Sequence, residues 1–408
     1  DKVYKNCKIF KLEQNYRSTR NILDTASSLI GHNNDRVKKK LWSSAEKGEL
    51  VKLNCYQTGK EEAEGVCDII ERELKKKYSL NNVSILVRAI HQTREFEERF
   101  LKVGLGYRVI GGIKFYERAE IKDAVSYLRI VNQKFDDLAL ERIIGVPKRG
   151  VGESTINQLY SFGNRNKICL EDAILKMIEN NQLKPKIKIS LSQLLNMIHK
   201  WRKDSIKMKH YDLLKMILDE SGYSKMIKDK KDLENENRLE NLKELLRAMQ
   251  DYDSLQAFLE HVALATSIDQ EWEGEKINLM TMHAAKGLEF EVVFLPGWEE
   301  GLFPHQKSLE ESGDFALEEE RRLAYVGITR AKNEAFISFA MKRAYHGDWN
   351  ETLPSRFINE IPEKGVEKNQ PRLKEVPEDF EFNQDQDFET NQEYRSPGWT
   401  RLKKKLIK

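Results

Sequence analysis

Val83-Ser84-Ile85-Leu86-Val87 decides how this chain is read. Four of its five residues are apolar, and they do not alternate with polar ones. A strand with one wet face alternates, so a nearly continuous apolar run belongs in a sheet covered on both faces. The flanks agree. Glu61–Lys77 reads as a helix with apolar positions at Val66, Ile69, Ile70 and Leu74, and His91–Val103 as another, followed by a short strand over Tyr107–Ile110. Upstream, Lys8–Leu12 reads as a strand, Ser18–Gly31 as a helix with Ser18 or Thr19 near its N-cap, and Leu50–Tyr56 as the next strand. Strands separated by helices of this length predict an α/β fold, a parallel sheet with helices on both faces.

From about Tyr116 to Trp272 the period changes. Helical patterns cover Ala119–Val131, Thr155–Phe162, Glu171–Ile178, Ile187–Trp201, Tyr211–Leu218, Leu233–Met249 and Leu255–Ala265, with no strand between them. The α/β pattern then returns, with strands at Lys276–Met280, Val292–Leu295 and Ala335–Phe339 and a helix at Leu317–Val326. An all-α block between two α/β pieces reads as an insertion. The predicted organisation is one discontinuous α/β domain (1–115 and 273–362), a helical insert (116–272) and a tail (363–408). Asp379–Tyr394 is acidic and Gln/Asn-rich, whereas Arg395–Lys408 carries six Lys/Arg and no acid, which predicts a flexible or loosely docked tail.

Composition narrows the class. The 408 residues suit two or three domains, 39% hydrophobic and 33% charged reads as globular, and 69 − 66 = +3 does not by itself argue for nucleic acid. No stretch approaches the ~18 apolar residues of a membrane span. Asp1–Phe10 has no apolar core of a secretion signal. Cys7, Cys55, Cys67 and Cys169 form no CxxC pair, so free thiols in a reducing cytosol are expected rather than disulfides or zinc. The chain does not begin with Met and reads as a piece of something longer.

Three segments put polar groups at strand ends, where α/β folds place ligands. In Leu12-Glu13-Gln14-Asn15-Tyr16-Arg17-Ser18-Thr19, Arg17 offers a planar charged fork for phosphate oxygens and Tyr16 a face for a base. Thr281-Met282-His283-Ala284-Ala285-Lys286-Gly287-Leu288-Glu289-Phe290 brings a hydroxyl, an imidazole, an ammonium and a glycine. In the third, Glu318 through Lys332, Arg330 follows a helical pattern and a glycine. Each has a plain reading: a surface arginine, a structural histidine, a solvated helix face with Glu318 and Arg322 paired at i,i+4.

In this order the three segments resemble motifs IV, V and VI of the UvrD/PcrA/Rep family of superfamily 1 DNA helicases. Gly111–Asp123 is similar to the stretch where that family's second RecA-like domain passes into its helical insert, and Pro296–His305 to the segment after motif V. The resemblance covers residues 1–360 and implies a RecA-like fold. It implies that Arg17 and Arg330 contact the γ-phosphate of ATP, Arg330 as an arginine finger, with Tyr16 on the adenine and Glu289 at the ribose. Thr281 and His283 would lie near single-stranded DNA, and Trp298, Phe303 and His305 would line its channel, with Trp298 equally open to a core role. Lys286 carries no assigned role. Lys148-Arg149-Gly150-Val151-Gly152-Glu153-Ser154-Thr155 resembles the family's Gly-x-Gly element, so Lys148, Arg149, Gly150, Gly152, Ser154 and Thr155 would contact duplex DNA. Two glycines before a helix N-terminus suit a phosphate; the plain alternative is a Gly-rich turn with Ser154 as the cap. The basic run Lys184–Lys209 reads as a solvated helix face that could add a duplex-facing stripe.

The sequence also departs from the family. It has no GxxxxGK[ST], since the only Gly-Lys pair, Gly59-Lys60, continues with Glu61, and no Walker B acidic pair. The expectation is the C-terminal motor half of an ATP-dependent 3′→5′ helicase of DNA repair and replication, cytoplasmic and nucleoid-associated. Its partners would be single-stranded and duplex DNA, a first RecA-like domain in cis or trans that binds most of the ATP and Mg²⁺, and repair proteins at the tail, with no membrane and no metal-ligating residues of its own. Alone it should not hydrolyse ATP. The competing readings are a non-catalytic DNA-binding or regulatory module, and a fragment of a RecB/AddA-type helicase–nuclease, ranked lower because the chain ends soon after motif VI.

Overall fold

The computed structural model describes residues 13–34, 42–229, 233–267, 274–345 and 348–369. The chain divides into two compact units, with boundaries at Gly112/Ile113 and Trp272/Glu273. The first crossing falls three residues before the position expected from periodicity, because the pattern changes only when the first helix of the insert begins.

The first unit is built on β1 (Gln14–Asn15), α1 (Arg20–Gly31), β2 (Trp42–Ser43), β3 (Val51–Thr58), α2 (Gly59–Arg72), β4 (Val83–Val87), α3 (Thr93–Val103) and β5 (Tyr107–Val109). With β6 (Ile277–Thr281), β7 (Phe290–Leu295), β8 (Ala331–Tyr345) and β10 (Val366–Asn369) from the far side of the insert, its strands run β10-β3-β8-β7-β4-β6-β5, all parallel, and the small ribbon β1-β2 is separate from this sheet. β4 is central and all five of its residues are buried. Val83, Ile85 and Val87 pack with Val66, Ile70, Phe96 and Phe100 of α2 and α3. Leu86 turns to the other face and joins Ile22, Ala26 and Leu29 of α1. Burial on both faces accounts for the nearly continuous apolar run. Truncating one such side chain to Ala costs about 2–5 kcal/mol.

The second unit holds α4 (Ala119–Asn132), α5 (Asp137–Gly145), α6 (Glu153–Asn166), α7 (Leu170–Glu179), α8 (Pro185–Asp204), α9 (His210–Glu220), α10 (Tyr223–Lys228), α11 (Leu233–Gln250) and α12 (Leu255–Ser267). Tyr127 of α4 sits at its centre, edge-on to Trp201 and Tyr223 with ring centroids 5.9 and 6.3 Å away. α5 and α10 were not expected. α5 starts where Asp136 accepts a hydrogen bond from the Ala139 N–H (3.0 Å), a cap that its 9-residue apolar pattern is too short to reveal.

The chain returns through β6 (Ile277–Thr281), β7 (Phe290–Leu295), α13 (Gln306–Ile328), β8 (Ala331–Tyr345), β9 (Asp348–Glu351) and β10 (Val366–Asn369). α13 bends at Gly313, whose φ of 54° no helix admits. β9 folds back antiparallel on β8, a hairpin the sequence reading missed. The expected tail needs a correction at its start. Residues 366–369 form a parallel edge strand on β3, and the Val51 N–H donates to the Gly365 carbonyl (3.0 Å). The ladder satisfies backbone groups whatever the side chains, so the polar sequence Val-Glu-Lys-Asn concealed it. The expected strand Lys8–Leu12 and the tail from residue 370 onward lie outside the described residues.

Candidate functional site

The β6–β7 connection explains where the polar residues meet. Thr281 closes β6, Phe290 opens the parallel strand β7, and β4 lies between them. Residues 282–289 therefore run back across the sheet, from the carboxyl ends of β4 and β6 to the amino ends of β7 and β8. α13 makes the same return trip. Each end of the sheet gathers its own cluster.

At the amino ends Arg17, Lys332 and Arg330 surround Glu289. The Asn15 carboxamide accepts from the N–H groups of Arg17 and Ser18 (both 2.9 Å), and the buried Ser18 hydroxyl donates to the Ala331 carbonyl (2.7 Å). Thr19 N–H donates to the Lys332 carbonyl (3.0 Å), so this loop is stitched to the start of β8. Arg17 Nε then donates to Glu289 Oε2 (2.8 Å), while Lys332 Nζ lies 3.0 Å from Oε1. Arg17 first, then Lys332, hold the Glu289 carboxyl below the usual range. Arg330 is 9% exposed; its Nε and Nη1 donate to the carbonyls of Val326 (3.1 Å) and Leu288 (3.0 Å). Burial, then the nearby Arg17 charge, lower its pKa. Three cations face two carboxylates here, because Lys332 Nζ also lies 3.7 Å from Glu291 Oε1, and the corner is one anion short. Tyr16, 80% exposed, stands beside it.

At the carboxyl ends Arg88, which follows β4, makes a bidentate pair with Glu320 of α13 (2.9 and 2.6 Å), and Glu320 also accepts the His305 N–H (3.2 Å). His283 lies in their field. Burial first, then Arg88, lower its pKa, against the pull of Glu320 and Glu319. Thr281 Oγ1 accepts the Ala284 N–H (3.3 Å), fixing the turn that presents His283. Thr281, His283 and His305 thus share one end of the sheet. Trp298 and Phe303 require a correction: both are 0% exposed and pack edge-on to one another (5.5 Å) and to Phe357. Neither ring has a face left for a base. Their segment is a core plug because the peptides of Trp298 and Ser355 are held by backbone bonds to Ser338 and Trp298.

In the helical unit Gly152 is the N-cap of α6, and no side chain caps the helix. Gly150 has φ +75°, and a Cβ on either glycine would meet open space. Lys148, Gly150, Gly152 and Ser154 are exposed and Thr155 half-buried, around a helix start that offers bare N–H groups. Ser154 is inside the helix and is not its cap. Arg149 is a second correction. Its guanidinium turns inward, onto the carbonyls of Ile143 and Pro147 (2.9 Å) and the Tyr127 hydroxyl (3.0 Å). It braces the loop rather than flanking it.

Sequence reasoning missed Arg88, Glu320 and Lys332 as members of these clusters. The helix-face reading was right for Glu318 and Arg322, which pair at 3.2 Å, but Glu320 and Arg321 on the same run are buried, Arg321 bidentate on Glu360 (2.7 and 2.8 Å). The signal available was the helical period: residues 320, 323, 324, 327 and 328 form one inward stripe.

A discontinuous parallel α/β unit interrupted by a helical insertion defines the class: a RecA-like domain that carries a helical insert. Residues 10–342 match the UvrD-like helicase C-terminal domain, and the chain belongs to that family. It is 44% identical over 367 residues to the DNA helicase II of Rickettsia typhi, covering 89% of this chain and 56% of that protein. It is 38% identical over 368 residues to the ATP-dependent DNA helicase PcrA of Staphylococcus epidermidis, covering 88% of this chain and 50% of that protein. The chain thus spans about half the length of these relatives. A solved C-terminal domain of a possible DNA helicase from Lactobacillus plantarum overlaps 87% of this chain and 98% of its own, at 10% identity and a TM-score of 0.34. Among the described residues no helix is long and apolar enough to cross a membrane, and no group of three His, Cys, Asp or Glu is set to hold a metal ion.

Proposed function

We propose that the chain is the C-terminal motor half of an ATP-dependent 3′→5′ DNA helicase of UvrD/PcrA type, which unwinds duplex DNA in repair and replication. The observation that carries this reading is the convergence of Arg17, Arg330 and Lys332 on Glu289. Arg330, whose pKa is lowered by burial and then by the Arg17 charge, gains from a polyanion beside it, and a γ-phosphate would supply one. Phosphoryl transfer needs little beyond positioning and charge stabilisation, and a trans-cleft arginine contributes about 10³–10⁵ in rate. Tyr16 would stack on the adenine and Glu289 would take the ribose once a phosphate draws Arg17 away. A Mg²⁺ would come with the triphosphate, neutralising its charge, and the P-loop would come from a first RecA-like domain in cis or trans. Thr281, His283 and His305 would follow a single strand; Lys148 and the Gly150–Thr155 helix start would take a duplex phosphate.

The test is ATP hydrolysis stimulated by single-stranded DNA, with the chain alone and mixed with a P-loop-bearing first domain. Silence alone and turnover on mixing, lost in Arg17→Ala and Arg330→Ala, is the expected result. Full turnover in both variants would overturn the assignment.

A further inference from the structure

Glu289 is shared by two cations of unequal standing. Arg17 reaches it from a loop with a single N–H: Nε donates to Oε2 at 2.8 Å, and the two terminal nitrogens bond nothing else among the described residues. Lys332 takes the other oxygen, its Nζ lying 3.0 Å from Oε1, and is itself moored from behind. The same Nζ lies 3.7 Å from Glu291 Oε1, while the Asn333 carboxamide donates to Glu291 Oε2 (2.6 Å). Adjacent residues of a regular strand point to opposite faces, so Lys332 and Asn333 could not both meet one carboxylate there. The ladder shows why they do. Phe290 pairs with Ala331 and Val292 with Glu334, so two steps along β7 match three along β8. The extra residue is a bulge, and it turns both side chains toward Glu291.

We infer that Lys332 is a positioning residue: it stays on the Glu289 carboxylate while Arg17 swings from that carboxylate to the terminal phosphate of a bound nucleotide. The inference rests on the nucleotide reading above and deepens it. The chemistry is an exchange of partners. A carboxylate that loses its last counter-ion stands bare beside an incoming polyanion, and that repulsion opposes the exchange. With Lys332 on Oε1, Glu289 keeps a cation at 3.0 Å throughout, and Arg17 gives up one N–H bond. The guanidinium gains by the move, because its fork meets phosphate oxygens with two N–H groups at once. Lys332 suits the standing part. Its ammonium is a point charge without a fork, and the bulge fixes it to β8 rather than to the loop that carries Arg17. Glu291, held in turn by Asn333, keeps the ammonium from following the phosphate.

The test is a double-mutant cycle read by calorimetric titration of the 408-residue chain with inorganic tripolyphosphate, which has no sugar for Glu289 to hold. Lys332→Met is expected to weaken binding about threefold to fivefold, the upper range for half-exposed ion pairs, and Lys332→Arg to restore it. In a chain already carrying Glu289→Gln, Arg17 has no carboxylate to leave, and Lys332→Met should change affinity by less than about twofold. An equal loss in both backgrounds means that Lys332 meets the phosphate itself, and overturns the inference. So does Lys332→Met binding like the parent while Arg17→Ala binds less; the nucleotide reading then stands. No binding by the parent chain, or full binding by Arg17→Ala, overturns both. A second readout needs no ligand. The Arg17 Nε proton should exchange with water more slowly in Lys332→Met, where Glu289 holds Arg17 alone, and unchanged or faster exchange overturns the inference. Far-ultraviolet dichroism checks that each variant is folded.

Discussion

Replacing Arg343 by Met probes how the segment after β7 is held in place. Arg343 of β8 donates from Nε and Nη2 to Glu299 (2.7 and 2.8 Å) and from Nη2 to Glu62 (2.5 Å), with Glu95 at 3.4 Å. Glu62 and Glu299 are each 1% exposed. Burial works against the Arg343 cation, but Glu299 and Glu62 outweigh it and raise its pKa. Without the cation two carboxylates stay buried, keeping only the Gly297 N–H and Ser338 hydroxyl on one and the Ala340 N–H on the other. Breaking a buried pair costs about 3–5 kcal/mol. Two orphaned carboxylates push toward the upper end and the 22% exposure of Arg343 toward the lower, so about 4 kcal/mol is expected. Urea unfolding followed by circular dichroism reads it. The variant carrying Arg343→Met with Glu62→Gln and Glu299→Gln should recover at least about half, because a neutral cluster of the same shape leaves no buried charge. A loss below about 1 kcal/mol in the single variant, or no recovery in the triple, would refute the reasoning.

Trp298→Ala should cost about 3–5 kcal/mol, as for a large core ring, while Trp298→Phe keeps single-strand affinity within twofold; a tenfold loss in the Phe variant would return Trp298 to the DNA channel. The depressed pKa of His283 means that the unfolded chain binds its proton first, so this residue costs stability as pH falls below the ordinary value of 6.5. Its proton resonances should titrate below that value and move up in Arg88→Met. Glu289 has the opposite bearing. Its lowered pKa stabilises the fold above the ordinary 4.5, and the contribution fades as pH falls through the lower folded value; Lys332→Met should shift the carboxyl titration upward in carbon-detected spectra. In fluorescence anisotropy, Lys148→Ala should weaken duplex binding and flatten its salt dependence by about one unit of slope, whereas Arg149→Ala should chiefly lower the melting temperature of the helical unit.

The sheet was legible because β4 declares itself. A nearly continuous apolar run, interrupted only by Ser84, is best explained by burial on both faces, and the helices at its sides follow from their period. Arg17 and Arg330 were weak signals singly, each beside a strand or helix end, and were joined only by their resemblance to motifs IV and VI; the structure sets both near Glu289. Lys332 and Glu320 were not legible, since their meaning depends on Glu289 and Arg88, which lie 43 and 232 positions away and meet them only through the crossover of the sheet. Trp298 and Phe303 misled because an aromatic after a strand looks the same in sequence whether it faces a groove or plugs one. Arg149 misled because a basic side chain beside glycines suggests a phosphate, and only the carbonyls of Ile143 and Pro147 reveal that it is already engaged.

The edge strand β10 has a mechanical meaning. It binds β3 through the four register positions Val366↔Val51 to Asn369↔Asn54 at one margin of the sheet, while β5, after which the chain departs into its helical unit, forms the opposite margin. Six strand spacings separate them, roughly 29 Å. Tension applied to the chain beyond Asn369 along the strand axis loads the ladder in shear, with its bonds sharing the force. The same tension applied sideways peels them one at a time. A pull at Asn369 is thus resisted stiffly in one direction and yields step by step in the other.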